Sequence, residues 1–133
     1  MIRIRFCLAA EGIVRDSETN NMSAFNILEQ MTPEGFPALL PKISFLSAWE
    51  RDPEDPAEYD MEFTTKLDED VLYRQPITLR FGDSTRHRQT VIVQGLQIPR
   101  FGKLIFMLRT PDGSIEASYS IEVKAPAIRA EQA

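Results

Sequence analysis

The chain has 133 residues, a mass of 15.2 kDa and a formal net charge of −5, with 43% hydrophobic and 26% charged residues. This is the length of one domain and an ordinary globular composition, which excludes a wholly disordered chain. One cysteine (Cys7) excludes an intrachain disulfide and a multi-cysteine zinc site, one histidine (His87) excludes a polyhistidine metal centre in a single chain, and the acidic balance argues against nucleic acid as a partner.

The N-terminus alternates apolar with basic residues from Ile2 to Phe6. The apolar run Phe6-Cys7-Leu8-Ala9-Ala10 stops at Glu11, too short for a secretory signal. No run approaches the roughly 18 apolar residues of a membrane span. A cytoplasmic protein is expected, in keeping with a lone thiol.

The pattern has a period of two along most of the chain. Ile2, Ile4, Phe6 and Leu8 alternate with Arg3, Arg5 and Cys7, which predicts a first strand over 2–10. Asn20-Asn21 marks a turn, since asparagine tolerates a left-handed backbone. Residues 22–31 fit either a strand face (Phe25, Ile27, Met31) or a helical one (Phe25, Leu28, Thr32), and the strands on either side favour strand. Ile43 to Trp49 is apolar on both faces and predicts a central strand within 41–50. Tyr59, Met61, Phe63, Thr65 and Leu67 alternate with polar residues over 58–67, as in a half-buried antiparallel strand. Ile77, Leu79 and Phe81 do the same within 73–81, where Pro76 implies an edge. Two further segments, 88–98 and 103–110, are apolar on both faces, and Gly95 suggests a bulge in the first. Asp112-Gly113 is the strongest hairpin signal and leads into a last alternating strand over 114–124. Residues 125–133 have no strand pattern and read as a frayed C-terminal tail.

Eight strands with regular turn signals predict an all-β domain over 1–124, a single eight-stranded antiparallel β-sandwich of the immunoglobulin or C2 kind. Its expected core is Ile4, Phe6, Phe63, Leu79, Phe81, Val93, Phe106, Tyr119 and Ile121, each on the apolar side of an alternation.

The order of Cys7-Leu8-Ala9, an asparagine turn, Ser23 to Ile27, the Gly35-Phe36-Pro37 to Pro41 element and the closing Gly102 to Asp112-Gly113 hairpin resembles a family of small uncharacterised bacterial β-sandwich proteins, a domain of unknown function. The likeness is one of pattern and spans about residues 5–124. It implies a fold and no activity.

Three constellations carry candidate chemistry. Carboxylates at one sandwich end (Asp52, Asp55, Asp83 and Asp112) are a candidate Ca²⁺ set, because calcium takes six to eight oxygens. Arg51, Arg86 and Arg88 are expected at the same end, and the simpler reading is a solvated polar loop. Arg86-His87-Arg88 is a candidate anion site, since guanidinium forks match carboxylate and phosphate; the simpler reading is a strand entry with exposed cations. Cys7 with His87 is formally the inventory of a hydrolase, but a cysteine in an apolar strand is usually buried and inert. No cofactor is implied.

A fourth feature points to a partner. Phe36, Leu39 and Leu40 lie in a segment that Pro37 and Pro41 keep from continuing as a sheet interior. They are expected to cover an edge or to face another chain, most simply a two-fold mate. The sequence thus reads as a non-enzymatic protein-interaction module, with a Ca²⁺- or anion-dependent binding sandwich as the alternative and a Cys/His hydrolase behind that.

Overall fold

The computed structural model describes residues 1–126; residues 127–133, most of the expected tail, lie outside the described residues. The chain is an all-β sandwich of two open sheets. Its strands are β1 (Arg3–Arg15), β2 (Met22–Ile27), β3 (Gln30–Met31), β4 (Ala38–Glu50), β5 (Glu58–Leu67), β6 (Asp70–Arg80), β7 (Arg86–Ile98), β8 (Gly102–Arg109) and β9 (Glu116–Val123). Sheet A has the order β2-β1-β4-β7, and sheet B the order β3-β9-β8-β5-β6.

Among the described residues nine strands stand where eight are expected, because residues 22–31 split. β2 belongs to sheet A, and β3 crosses to sheet B, where it lies parallel to β9 with Gln30 opposite Glu122 and Met31 opposite Val123. The crossing is held at both sides. The Leu28 amide donates to the Ala9 carbonyl, and the Tyr119 hydroxyl donates to the Leu28 carbonyl. Every other pairing is antiparallel.

The core fills the space between the sheets. Phe45 of sheet A packs between Phe63 and Phe106 of sheet B, with ring centroids 5.5 and 6.4 Å away. Trp49 is fully buried, and its indole N–H donates to Ser47 Oγ at 2.8 Å, so the polar end of the ring is satisfied. Of the expected core, Phe63, Leu79, Phe81, Val93, Phe106 and Ile121 are buried, and Tyr119 is half-buried against them.

Ile4 and Phe6 depart from that expectation; both are exposed, Phe6 by 46%. For Phe6 the cause is a β-bulge; Ile4, ahead of the shift and opposite Trp49, is exposed without a change of phase. Ile4 pairs with Trp49 and Phe6 with Ala48, so Arg5 is an extra residue in the ladder. Ile2, before the bulge, is buried, and beyond it the inward set moves to Cys7 and Ala9. A slip of one residue turns every later side chain to the other face.

Leu40 also departs. It is buried in the core, whereas Leu39, opposite Gln97, is 56% exposed. Residues 38–40 do form strand, and the two prolines do not prevent it. β4 pairs with β1 only from Ser44 onward, so Pro41 lies where β4 has a neighbour on one side alone. At the same level the inward phase of both strands moves by one residue, from Leu40 and Leu96 to Ile43 and Val93. Gly95, at φ 70°, takes the left-handed backbone there that a side chain would strain.

The outer faces differ. On sheet B, Glu58 pairs with Arg80, Glu62 with Arg74, and Thr78 donates to Asp60. On sheet A, the outward side chains of β4, Ser44, Leu46 and Ala48, are buried although none is in the core cluster between the sheets.

Thr65 is fully buried, and its hydroxyl has no hydrogen-bond partner. Replacing Thr65 by Val removes an unpaired polar group at nearly constant shape. We expect a gain of about 1 kcal/mol in urea unfolding. Phe106→Ala, which empties the space beside Phe45, should cost about 3–5 kcal/mol in the same assay.

Candidate functional site

β1 serves two neighbours in turn. Arg3 to Ala10 pairs with β4, and Ala10 to Arg15 pairs with β2. The hairpin made by the second half of β1 and by β2 therefore leaves the plane of sheet A at Ala10. Its turn closes with the Asp16 amide donating to the Asn21 carbonyl, and Asn20 takes the positive φ, 61°, expected of the asparagine turn. The tip does not extend away from the sheet. Arg88 of β7 donates from Nη1 to the Asn20 carbonyl at 2.7 Å, two strands across from β1. The hairpin thus lies back along the outer side of sheet A and helps shelter Leu46 and Ala48.

Beneath the tip is a cleft of about 560 Å³. Arg5, Asn20, Asn21, Ser84, Arg86 and Arg88 supply its polar groups, and Ala48, Trp49 and His87 complete the lining. Arg5 comes from the bulged stretch of β1, and alternate outward positions of β7 bring Arg86 and Arg88. Arg5 has no side-chain partner among the described residues. Arg86 stands 3.7 Å from Glu50, a carboxylate that Arg3 also approaches at 3.7 Å. The histidine ring lies apart from the two arginine heads. His87 pairs with buried Trp49, packs its ring 5.7 Å from that of Phe81 and meets Gln89 Oε1 at 3.0 Å.

The structure thus brings Arg86 and Arg88 to one cleft and adds three residues that the sequence pattern does not mark. The alternation of β1 sets Arg5 on the solvent side but does not say that the hairpin tip and β7 meet it there. Asn20 and Asn21 read as turn formers, and nothing local says where a turn will dock.

The four candidate calcium ligands are occupied or apart. Asp52 and Asp55 face the Met1 ammonium, at 2.7 and 2.8 Å. Arg3 also bonds Asp52, at 3.3 Å. Asp112 caps its own hairpin turn, accepting from Thr110 Oγ1, the Ser114 amide and Ser114 Oγ. Those hydrogen bonds, the Thr110 hydroxyl first, hold its pKa down to about 2. Asp83 is exposed. Among the described residues, no group of three or more His, Cys, Asp or Glu side chains could hold a metal ion.

Arg51 is not the surface cation that its loop position suggests. It is 7% exposed. Its guanidinium donates to the carbonyls of Ser84 (3.0 Å), Asp52 (3.4 Å), Pro53 (3.2 Å), Asp55 (2.9 Å) and Gly82 (3.2 Å). It also lies 5.6 Å from the Phe81 ring centroid. One side chain therefore satisfies carbonyls in both loops that border the cleft end of the sandwich. Burial of a charge is tolerable because nearly every N–H has a partner.

Cys7 and His87 lie on β1 and β7 with β4 between them, two strand spacings of about 5 Å apart and two residues out of register. The Cys7 thiol donates to the Ser118 carbonyl at 3.3 Å, and burial pushes its pKa up, away from the thiolate.

Phe36, the first of the expected partner residues, packs edge-on against Phe101 with centroids 4.7 Å apart. It and Leu39 remain exposed, while Leu40 is core. A larger exposed set lies on the hairpin. Val14, Phe25 and Ile27 are all exposed and belong to one face of it, through the pairs Gly12 with Phe25, Val14 with Ser23 and Ala10 with Ile27. No family model, curated protein or solved structure matches the chain.

Two measurements check this end of the molecule. Arg51→Met leaves the loop carbonyls without donors and should cost about 2–3 kcal/mol in chemical denaturation. The Met1 clamp should respond to pH on two sides. The ammonium hydrogen bonds hold Asp52 and Asp55 below the usual 3.8, and the same bonds raise the ammonium above 8.0. The carboxylates' share is complete above their ordinary pKa and fades as pH falls through the depressed values. The ammonium's share is complete below pH 8 and fades as pH climbs past its raised value. Carboxyl resonances of Asp52 and Asp55 followed from acid to alkaline pH should therefore show the contact intact between about pH 4 and 8, opening only below the depressed carboxylate values and above the raised ammonium value.

Proposed function

We propose that the chain is a non-enzymatic protein-interaction module that docks a partner protein on hairpin β1–β2. The observation that carries this reading is the exposed face of Val14, Phe25 and Ile27. Three large apolar side chains together on the uncovered face of one hairpin are costly to leave in water and mark contact surfaces. Phe25 supplies an aromatic anchor of the sort that dominates interface energies. The hairpin also rests on a frame that keeps it in one place: Ala9 and Ala10 are fully buried at its root, and its tip is tied to Arg88. The separation of Cys7 from His87 and the raised thiol pKa support a role without nucleophilic chemistry.

Affinity capture from the source cell with wild type, Phe25→Asp/Ile27→Asp and Leu39→Asp as baits tests the proposal. A partner held by wild type and by Leu39→Asp should be lost with the hairpin variant. Identical recovery by all three would remove the hairpin as the docking surface. Loss with Leu39→Asp alone would move the surface to the Phe36–Leu39 region. Sedimentation of the purified chain at tens of micromolar tells whether the partner is a second copy, because a wild-type dimer that the hairpin variant dissolves would make it one.

A further inference from the structure

We propose that the cleft beneath the hairpin tip binds a small polar molecule through an oxyanion, a phosphate or a carboxylate, held by Arg5 and Arg88 with Arg86 beside them. The proposal does not rest on the docking surface, which lies on other residues.

The argument begins from charge. The chain is acidic overall, at −5, yet three arginines line one cleft and no Asp or Glu is among its lining residues. Glu50 touches only Arg86 of the three, at 3.7 Å, and shares itself with Arg3. Gathering cations in one concavity costs energy through mutual repulsion, and low-dielectric walls raise that cost. A bound oxyanion reverses the sign of the interaction.

Donor capacity points the same way. A guanidinium has five N–H groups in a fixed fork. Arg88 uses one contact, to the Asn20 carbonyl, and its remaining donors have no partner among the described residues. Arg5 has none at all. Forks with free donors suit the paired oxygens of carboxylate and phosphate. The positions are also built rather than incidental. Arg5 stands at the β1 bulge and lines the same cleft. Arg88 is fixed by the hairpin tip that roofs the cleft.

Size and neutral groups narrow the ligand class. About 560 Å³ is more than a bare ion fills and falls within the range of small-molecule sites. Ser84, Asn20 and Asn21 offer hydroxyl and amide groups around the arginines, which fits a polar body and not an apolar one.

The test is a titration at low ionic strength with inorganic phosphate and, separately, with glutarate, read by backbone and arginine side-chain NMR. The expected result is a saturable response centred on residues 5, 20–21, 84 and 86–88. Arg5→Gln is the decisive variant, because Arg5 holds nothing else in place among the described residues. It should weaken binding about tenfold, the effect of losing one charge-assisted contact. Arg88→Gln should weaken it at least as much. Arg74→Gln, on the outer face of sheet B, should leave it unchanged. Tighter phosphate than glutarate assigns a phosphoryl group, and the reverse assigns a carboxylate; either supports the site. A response that stays linear to about 10 mM, or one that Arg5→Gln leaves within about twofold, overturns the proposal. So does an equal loss with Arg74→Gln, which would show attraction to surface charge in general.

Discussion

Ile4 and Arg5 stand together where the partner strand offers only Trp49, and much of the outer side of sheet A depends on that extra residue. Without it, Phe6 and Leu8 would point into the core, and the space against Phe45 and Trp49 would be overfilled. With it, the small residues Cys7 and Ala9 face inward, and the bulky ones face out. The first strand then supplies apolar side chains to an outer layer, over which the hairpin returns. One local irregularity thus gives the strand an inward set of small residues and an outward set of bulky ones.

Arg51 fixes the end of the sandwich nearest the cleft by different means. A buried guanidinium among backbone carbonyls, with no carboxylate in contact, is an organiser of loops more than an ion pair. It binds the 51–57 and 81–85 segments into one unit beside the start of β7. Arg86 and Arg88 follow directly on that strand. Their placement therefore depends on a residue that does not line the cleft.

The fold was legible wherever one face of a strand is wet. β5 and β9 show it plainly: Met61 to Leu67 and Ala117 to Val123 alternate without interruption, and both strands lie where the pattern puts them. β4 was legible as central because Ile43 to Trp49 is apolar on both faces, and it does lie between β1 and β7. Phe6 was misplaced because a bulge changes phase without changing composition. Leu40 was misplaced because two prolines suggest an excluded strand, whereas Pro41 needs only one unpaired side. β3 was hidden because two residues carry no periodicity. The cleft was half legible. Arg86 and Arg88 stand out as neighbours in sequence, but Arg5 and Asn20 join them only through the path of a hairpin, and that path is a tertiary fact. Arg51 gave no signal, since an arginine in a polar loop looks the same whether it meets water or carbonyls.

The parallel contact between β3 and β9 has a consequence for how the molecule assembles. Met31 meets Val123, and the Cys7 thiol reaches Ser118. These contacts join the opening quarter of the chain to its last strand, so the loops they close are nearly as long as the domain itself. Loop closure of that length is slow, and folds dominated by such pairings are slow to form. During synthesis, the first strands can pair as a local hairpin, but the edge of sheet B that receives β3 does not exist until β9 has left the ribosome. Met31 gains its ladder partner, and Leu28 the Tyr119 hydroxyl, only then. The start of sheet B's edge is therefore completed late, and Leu28 and Met31 reach their packed state only together with the rest of the core.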